Sequence, residues 1–540
     1  MSNVDTHVGT SGEITPEGGY RSRLSKSWRN LPDERRRRIT IVLQVLATIA
    51  LWFIDHSLGY GAAVFIVFLW MPKLTPIPWR LGIQLVMVIA FAIAAAVGST
   101  SISIAILLAV ACGLFWIPER QRRWALPLTV LLVAVLYPFY LDHLFTIPVF
   151  GAFPNVGTGV YMIVFMMMAV GLNIVVGYAG LLDLGYVAFY ATGAYTAAWF
   201  ASEQFAGQKC PNPKFNTNNC PDQLVPAHKF NFGATGVIPG TGGIHISLWI
   251  LFLLGGMITA LVGIGIGLPT LRLRGDYLAI VTLGFGEILP QIALNGQSLF
   301  GFNVTNGPNG ITPLDAPGFG HRLTVLTGGF LPSNYLTCCS QSLLGHRIEY
   351  EDVFYWTALV LLLFTVFCSL RLRDSKLGRA WVAIREDETA AAAMGIPLMR
   401  TKTWAYASGA FFGGVAGAYY ATFKSSTFPG DFYFNISVFI LCMVILGGMG
   451  NVWGVMVGAA FLAYLNQEGL ANTGAWINTN IHFGGWHPNI DVPLYASGIY
   501  GLIILIVMLF RPEGLLPSRR RSAEFHEGVH DTPLYDVTHV

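Results

Sequence analysis

Apolar runs of bilayer length recur along almost the whole of this 540-residue chain, and no other feature restricts its fold so strongly. A helix needs about 20 apolar residues to cross the hydrocarbon core of a membrane. Candidate runs occupy 40–56, 60–72, 82–98, 100–117, 125–141, 158–177, 183–201, 246–269, 275–294, 353–371, 402–421, 434–449, 450–466 and 492–510. They are continuous and do not alternate, which argues against a transmembrane barrel. Charged residues make up 11% of the chain, against roughly 25% in soluble domains. The expected fold class is therefore all-α, a polytopic transmembrane helical bundle of about 14 spans with broken or re-entrant segments. The run 60–72 is short, and 275–294 is interrupted by Asp276, Glu287 and Pro290.

Basic residues orient the spans. With Arg35–Arg38 in the cytoplasm and sides alternating, Arg80, Arg120, Arg122, Arg123, Arg272, Arg274, Arg371, Arg373, Arg379, Arg385, Arg511 and Arg519–Arg521 all fall inside. Both termini are expected to be cytoplasmic. The polar stretch 1–38 forms a tail with no apolar segment before it, so no cleavable signal peptide is expected. Residues 39–150 hold extra N-terminal spans, 151–515 the main membrane domain, and 516–540 a second tail. The arginine run near the N-terminus is read as a topology signal, so no nucleic-acid partner is expected; the membrane lipid is.

The long loops 202–245 and 295–352 fall outside, and they contain Cys210, Cys220, Cys338 and Cys339. A disulfide within or between these loops is expected in an oxidising compartment. A bridge between adjacent Cys338 and Cys339 is strained, which leaves Cys210–Cys220 or an inter-loop pair. Glycines every four residues, Gly409/Gly413/Gly417 and Gly450/Gly454/Gly458, mark close helix packing.

Three stretches carry more than packing. Residues 377–396 form a polar, Ala-rich, helix-forming segment between two apolar runs, with Arg379, Arg385, Glu386, Asp387 and Glu388 presented for docking to a soluble partner. Residues 271–288 place Asp276, Tyr277, Thr282, Gly284, Gly286 and Glu287 in or beside a span. That reads as a broken helix lining a pathway or as a structural ion-pair site. Residues 171–195 hold Asn173, Asp183 and Tyr186 among small residues that let the chain turn within or near the membrane; Asp183 suits a helix cap or a ligand. Thr305–Ile311 reads as a tight turn. There is no GxxxxGK[ST] phosphate loop, no Cys/His metal spacing and no haem motif. Neither cofactor, metal site nor catalytic residue is expected.

Four stretches then carry a family resemblance: Leu172–Ala198, Leu271–Ile288 with Asn306–Ile311, Gly378–Ile396, and Gly447–Gly458. Over roughly residues 156–515 the chain resembles the LivM-type membrane permeases of bacterial branched-chain amino-acid ABC importers. The resemblance implies a multi-pass subunit of the bacterial inner membrane that performs no covalent chemistry. It implies a second, LivH-like permease, two cytoplasmic ABC ATPases that hydrolyse ATP, and a periplasmic amino-acid-binding protein. The segment 378–396 becomes a coupling helix seated in an ATPase groove. Gly378, Arg379, Arg385, Glu386, Asp387 and Gly395 lie along it, with Trp381 or Met394 as apolar anchor. Asn173, Asp183, Tyr186 and the 276–287 residues become pathway candidates. Two alternatives stay open: a urea or short-amide permease of the same scaffold, against which 281–287 speaks, and an ion-coupled secondary transporter using Asp276 and Glu287.

Overall fold

The computed structural model describes residues 33–54, 56–97, 100–141, 153–205, 230–237, 243–272, 276–299, 303–327, 332–335, 342–343, 346–480 and 490–516. It is almost wholly helical and falls into two compact units, Met1–His143 and Leu144–Val540. Among the described residues nine helices are long and apolar enough to cross a membrane, with two shorter apolar helices besides. The chain is a polytopic helical membrane protein.

The smaller unit contains α1 (Asp33–Ile54), α2 (His56–Leu74), α3 (Arg80–Ala96), α4 (Thr100–Gly113) and α5 (Glu119–Tyr140). Gln84 ties α3 to α4 by donating to the Val110 carbonyl at 2.5 Å. Arg80 donates to the Trp116 carbonyl at 2.6 Å, and Arg122 to those of Phe115 and Ile117. Both arginines thus satisfy the carbonyls of one turn and lie at one end of the unit.

The larger unit contains α6 (Val156–Asn173), α7 (Val187–Phe200), α8 (Leu248–Thr270), α9 (Asp276–Asn295) and a short α10 (Gly320–Leu326). Then come α11 (Tyr350–Asp374), α12 (Lys376–Glu386), α13 (Glu388–Ala393), α14 (Leu398–Lys424), α15 (Phe434–Gly447), α16 (Val452–Tyr464), α17 (Leu470–Asn480) and α18 (Ala496–Phe510). Single π turns extend α6 over Ile174–Tyr178 and join α16 to α17 over Leu465–Gly469. The run expected at 450–466 is therefore the first half of a longer helix.

Helices α6 and α14 form the centre, most of their length being buried. Small residues allow this. Gly171 of α6 meets Gly409 of α14, and Gly193 of α7 lies so close to the Gly414 carbonyl that any Cβ would collide with it. Gly413 faces Tyr186 and Gly417 the backbone at Tyr190. Gly454 and Gly458 pack against Gly447 in the α15–α16 hairpin. Gly450 does not share that role. It sits in the turn before α16 with φ +87°, a conformation open to glycine and closed to most other residues.

Hydrogen bonds define two ends of this unit. At one end Asp315 N–H donates to Ala201, Leu314 to Ser425, and Ile311 and Thr427 pair in both directions. A small sheet of order β1 (Ala201–Ser202), β3 (Ile244–Ile246), β2 (Phe230–Phe232) lies there, with His245 and Asp315 buried and 2.6 Å apart. At the other end the α12–α13 segment meets the end of α6 and the α15–α16 turn. There the chain beyond α18 returns to bond Leu446 and Gly447. Cys210, Cys220, Cys338 and Cys339 lie outside the described residues.

Candidate functional site

The polar segment after α11 is built by local capping. Ser375 caps α12, accepting from Gly378 N–H, and Asp387 stops α12 and caps α13. The Asp387 carboxylate accepts from the Thr389 hydroxyl at 2.5 Å and from the Thr389 and Ala390 amides. These bonds, led by the Thr389 hydroxyl, hold its pKa below the ordinary carboxylate value. Gly395, with φ +85°, ends the segment with open space around it.

The segment has two faces. Arg379, Glu386, Asp387, Thr389, Ala390, Ala392, Ala393 and Gly395 are exposed, and Met394 is 84% exposed. The other face is fastened to the bundle. Trp381 is fully buried and its Nε1 donates to the Thr401 carbonyl at 2.8 Å. Lys402, almost wholly buried, pairs with Glu388 at 2.7 Å. Gly378 is packed onto the backbone at Leu372 and Arg373. The expectation of Trp381 as an anchor for a partner is therefore corrected. An amphipathic helix does not say which surface covers its apolar side, and here α14 of the same chain does. Met394 remains the outward apolar residue. Arg385 likewise points into the bundle, donating from Nη1 to the Gly177 carbonyl at 2.7 Å.

Gly177 lies where the membrane helix breaks. After the π turn the chain runs without helix through 179–186, and only then starts α7. At 14 residues, α7 rises about 21 Å, short of a bilayer core of roughly 30 Å. Non-helical backbone at this depth survives only where protein satisfies its polar groups. Leu181 N–H donates to Val175, Leu184 N–H to the Thr282 hydroxyl at 3.1 Å, Gly185 N–H to Asp183 Oδ1 and Val187 N–H to the Ser437 hydroxyl at 2.8 Å. Tyr186 is fully buried and donates to the Gly409 carbonyl. Asn173 is buried and accepts from Gly450 N–H at 2.8 Å. Asp183 thus caps its own turn. Its Oδ2 and the Tyr406 hydroxyl, which line one small pocket with Thr282, Phe189 and Ile266, have no hydrogen-bond partner among the described residues.

A broken helix was also one of two readings of 271–288. From Asp276 onward that stretch is the continuous helix α9, and Gly284 and Gly286 do not interrupt it. Gly286 instead lets α9 approach Gly185 of the broken segment. One face of α9, including Leu278, Ala279, Thr282 and Ala293, is buried. The other exposes Tyr277 (72%), Ile280, Glu287 and Gln291, and a Cβ at Gly284 would meet nothing. Asp276 begins the helix, and its side chain lies outside the described residues. Neighbouring α8 exposes only apolar side chains such as Leu253, Met257 and Leu261. A carboxylate halfway along a lipid-length helix is costly unless it faces water or protein, so α9 differs from α8 in the surface it needs.

Two residues here were not marked by the sequence: Ser437, whose hydroxyl holds Val187 N–H, and Tyr406, which lines the pocket beside Asp183. A lone hydroxyl in the apolar stretch 434–447 was the only signal for the first. Tyr406 carried none, since a buried tyrosine between helices is ordinary core.

A helical bundle with a broken membrane helix, a half-polar exposed helix and a charged segment at one end is a membrane transport subunit. Residues 156–508 match the family model described as the permease component of branched-chain amino acid transport systems, and the chain belongs to that family. It is 31% identical over 408 residues to the high-affinity branched-chain amino acid permease protein LivM of Salmonella typhimurium, covering 74% of this chain and 76% of the relative. To LivM of Escherichia coli it is 31% identical over 407 residues, with the same coverage. A probable LivM of Methanocaldococcus jannaschii is 25% identical over 291 residues, 54% of this chain and 72% of the relative. No solved structure matches the chain.

Proposed function

We propose that this permease carries leucine, isoleucine, valine or a related amino acid across the membrane as part of an ATP-driven importer. The observation that carries the coupling half of the reading is the α12–α13 segment. Its inner face is bolted to α14 by Trp381 and Lys402, while Arg379 and Met394 on its outer face are exposed. Polar rim and single apolar anchor are what a docking helix needs. Two cytoplasmic ABC ATPases are the partners that fit it, and a binding protein at the opposite end supplies the substrate. ATP binding and hydrolysis in those partners then bias the permease between two states, through contacts that differ between them.

The exposed face of α9 is the second half of the reading. Glu287, Gln291 and the open surface at Gly284 suit a water-filled pathway shared with a second, LivH-like permease. The names of the relatives favour branched-chain amino acids over urea or short amides.

The test is purification of the chain from its native membrane in mild detergent, followed by mass spectrometry. Recovery of two P-loop ATPases and a second permease is the expected result. Recovery of the chain alone, under conditions that keep a known importer intact, would overturn the coupling half.

A further inference from the structure

We propose that Arg385 is the positioning residue through which the docking segment moves the broken membrane helix. This rests on the reading of α12–α13 as the ATPase-docking segment and adds an inward route from it.

The geometry is specific. An α-helix leaves its last carbonyls unsatisfied, and Gly177 is among the last residues of the α6 π turn. Arg385 Nη1 donates to that carbonyl at 2.7 Å. A cation there is also favoured by the negative end of the helix dipole. The arginine stem lies against Gly180, whose φ is +69°; a Cβ at that position would come 2.5 Å from Arg385 Cγ. A Cβ at Gly450, in the α15–α16 turn, would sit 3.5 Å from the Gly177 oxygen and 3.6 Å from Nη1. Three glycine backbones therefore line one arginine side chain, Gly180 along its stem and Gly177 and Gly450 at its guanidinium, and the same turn is tied to α6 by the Gly450–Asn173 bond.

From Gly177 the chain continues directly into the broken segment. Seven residues on, Leu184 N–H is held by the Thr282 hydroxyl of α9, and Gly185 packs on Gly286. These two contacts lie on the face of α9 opposite Glu287. A shift of the docking segment is thus passed from Arg385 to the end of α6, from there to 179–186, and on to the helix whose far side is exposed. The link includes a charge-assisted hydrogen bond, strong enough to transmit displacement and able to break and re-form between states. Arg385 does this from the inner face of the segment, so it is not a contact to the ATPase.

The experiment uses the whole importer in proteoliposomes, comparing wild type, Arg385→Gln and Arg385→Lys. The readouts are retention of the ATPases and the number of ATP molecules hydrolysed per leucine imported. The proposal expects Arg385→Gln to keep the ATPases bound while that ratio rises about tenfold, the size of one lost charge-assisted hydrogen bond. Arg385→Lys, which keeps a cationic donor, restores part of the coupling. An unchanged ratio in Arg385→Gln overturns the proposal. Loss of the ATPases in step with transport also overturns it, since Arg385 would then be a docking contact. Hydrogen exchange of wild type covers the case in which the variants do not fold. Amides of 177–186 should change protection on nucleotide binding, and no change in a complex that turns over would overturn the relay. If the wild-type complex holds no ATPases, the docking reading fails instead.

Discussion

Trp381 donates from its indole nitrogen to the carbonyl of Thr401 across 2.8 Å, and its ring is completely buried between α12 and the start of α14. One side chain thereby fastens the charged segment to the longest helix of the bundle. The segment and α14 are joined again by Glu388 and Lys402. A force applied to the segment is thus received by α14, which also holds Tyr186 through Gly409.

Replacing Trp381 with alanine should destabilise the protein by about 3–5 kcal/mol, the usual cost of emptying a large aromatic site. Phe in its place keeps most of the packing and loses the hydrogen bond, at about 1 kcal/mol. Thermal melts in detergent should rank wild type, Phe and Ala in that order. Equal melts for wild type and Ala would mean that the ring is not a structural anchor.

Met394→Glu should leave the melt unchanged, because the side chain is 84% exposed. The ATPases should nevertheless be lost on purification, since the substitution places a charge at the apolar contact. Full retention of the ATPases would move the docking surface elsewhere.

The break at 179–186 separates what the sequence marks from what it leaves unmarked. Small residues and Asp183 signalled a turn near the membrane, and the polar segment at 377–396 was visible as an interruption of apolar sequence. The helical class followed from run length alone. The location of the break was only partly legible, since 171–186 read as a turn within or near the membrane while 271–288 read as a broken helix or an ion-pair site. Gly284 and Gly286 read as an interruption, yet glycine in a membrane helix serves close approach as readily as breakage, and Gly286 serves Gly185. The inward turn of Trp381 and Arg385 was hidden for a related reason. Their partners, Thr401 and Gly177, offer backbone carbonyls, which every residue possesses and no sequence pattern marks.

Glu287→Gln should lower import several-fold with little change in the melt. The group is exposed on α9, so removing its charge alters the pathway surface more than the packing. Normal import would make this carboxylate incidental, and a large drop in melting temperature would assign it a bracing role.

Asp387 gives a pH prediction. Bonds from Thr389 and Ala390 depress its folded pKa, so the cap it provides is complete above the unfolded carboxylate pKa. It is lost only as pH falls through the lower folded value. Protection factors of the Thr389 and Ala390 amides should therefore stay constant from neutral pH down to the ordinary carboxylate range. Asp387→Ala should show low protection throughout. A loss of protection in wild type near neutral pH would contradict the capping account.

The most direct measurement is import of radiolabelled leucine into proteoliposomes that contain the purified importer, with the binding protein outside and ATP enclosed or omitted. The account expects uptake that requires both enclosed ATP and the binding protein, that unlabelled isoleucine and valine suppress, and that urea does not. Uptake driven by an ion gradient without ATP, or suppressed by urea and not by branched-chain amino acids, would contradict it.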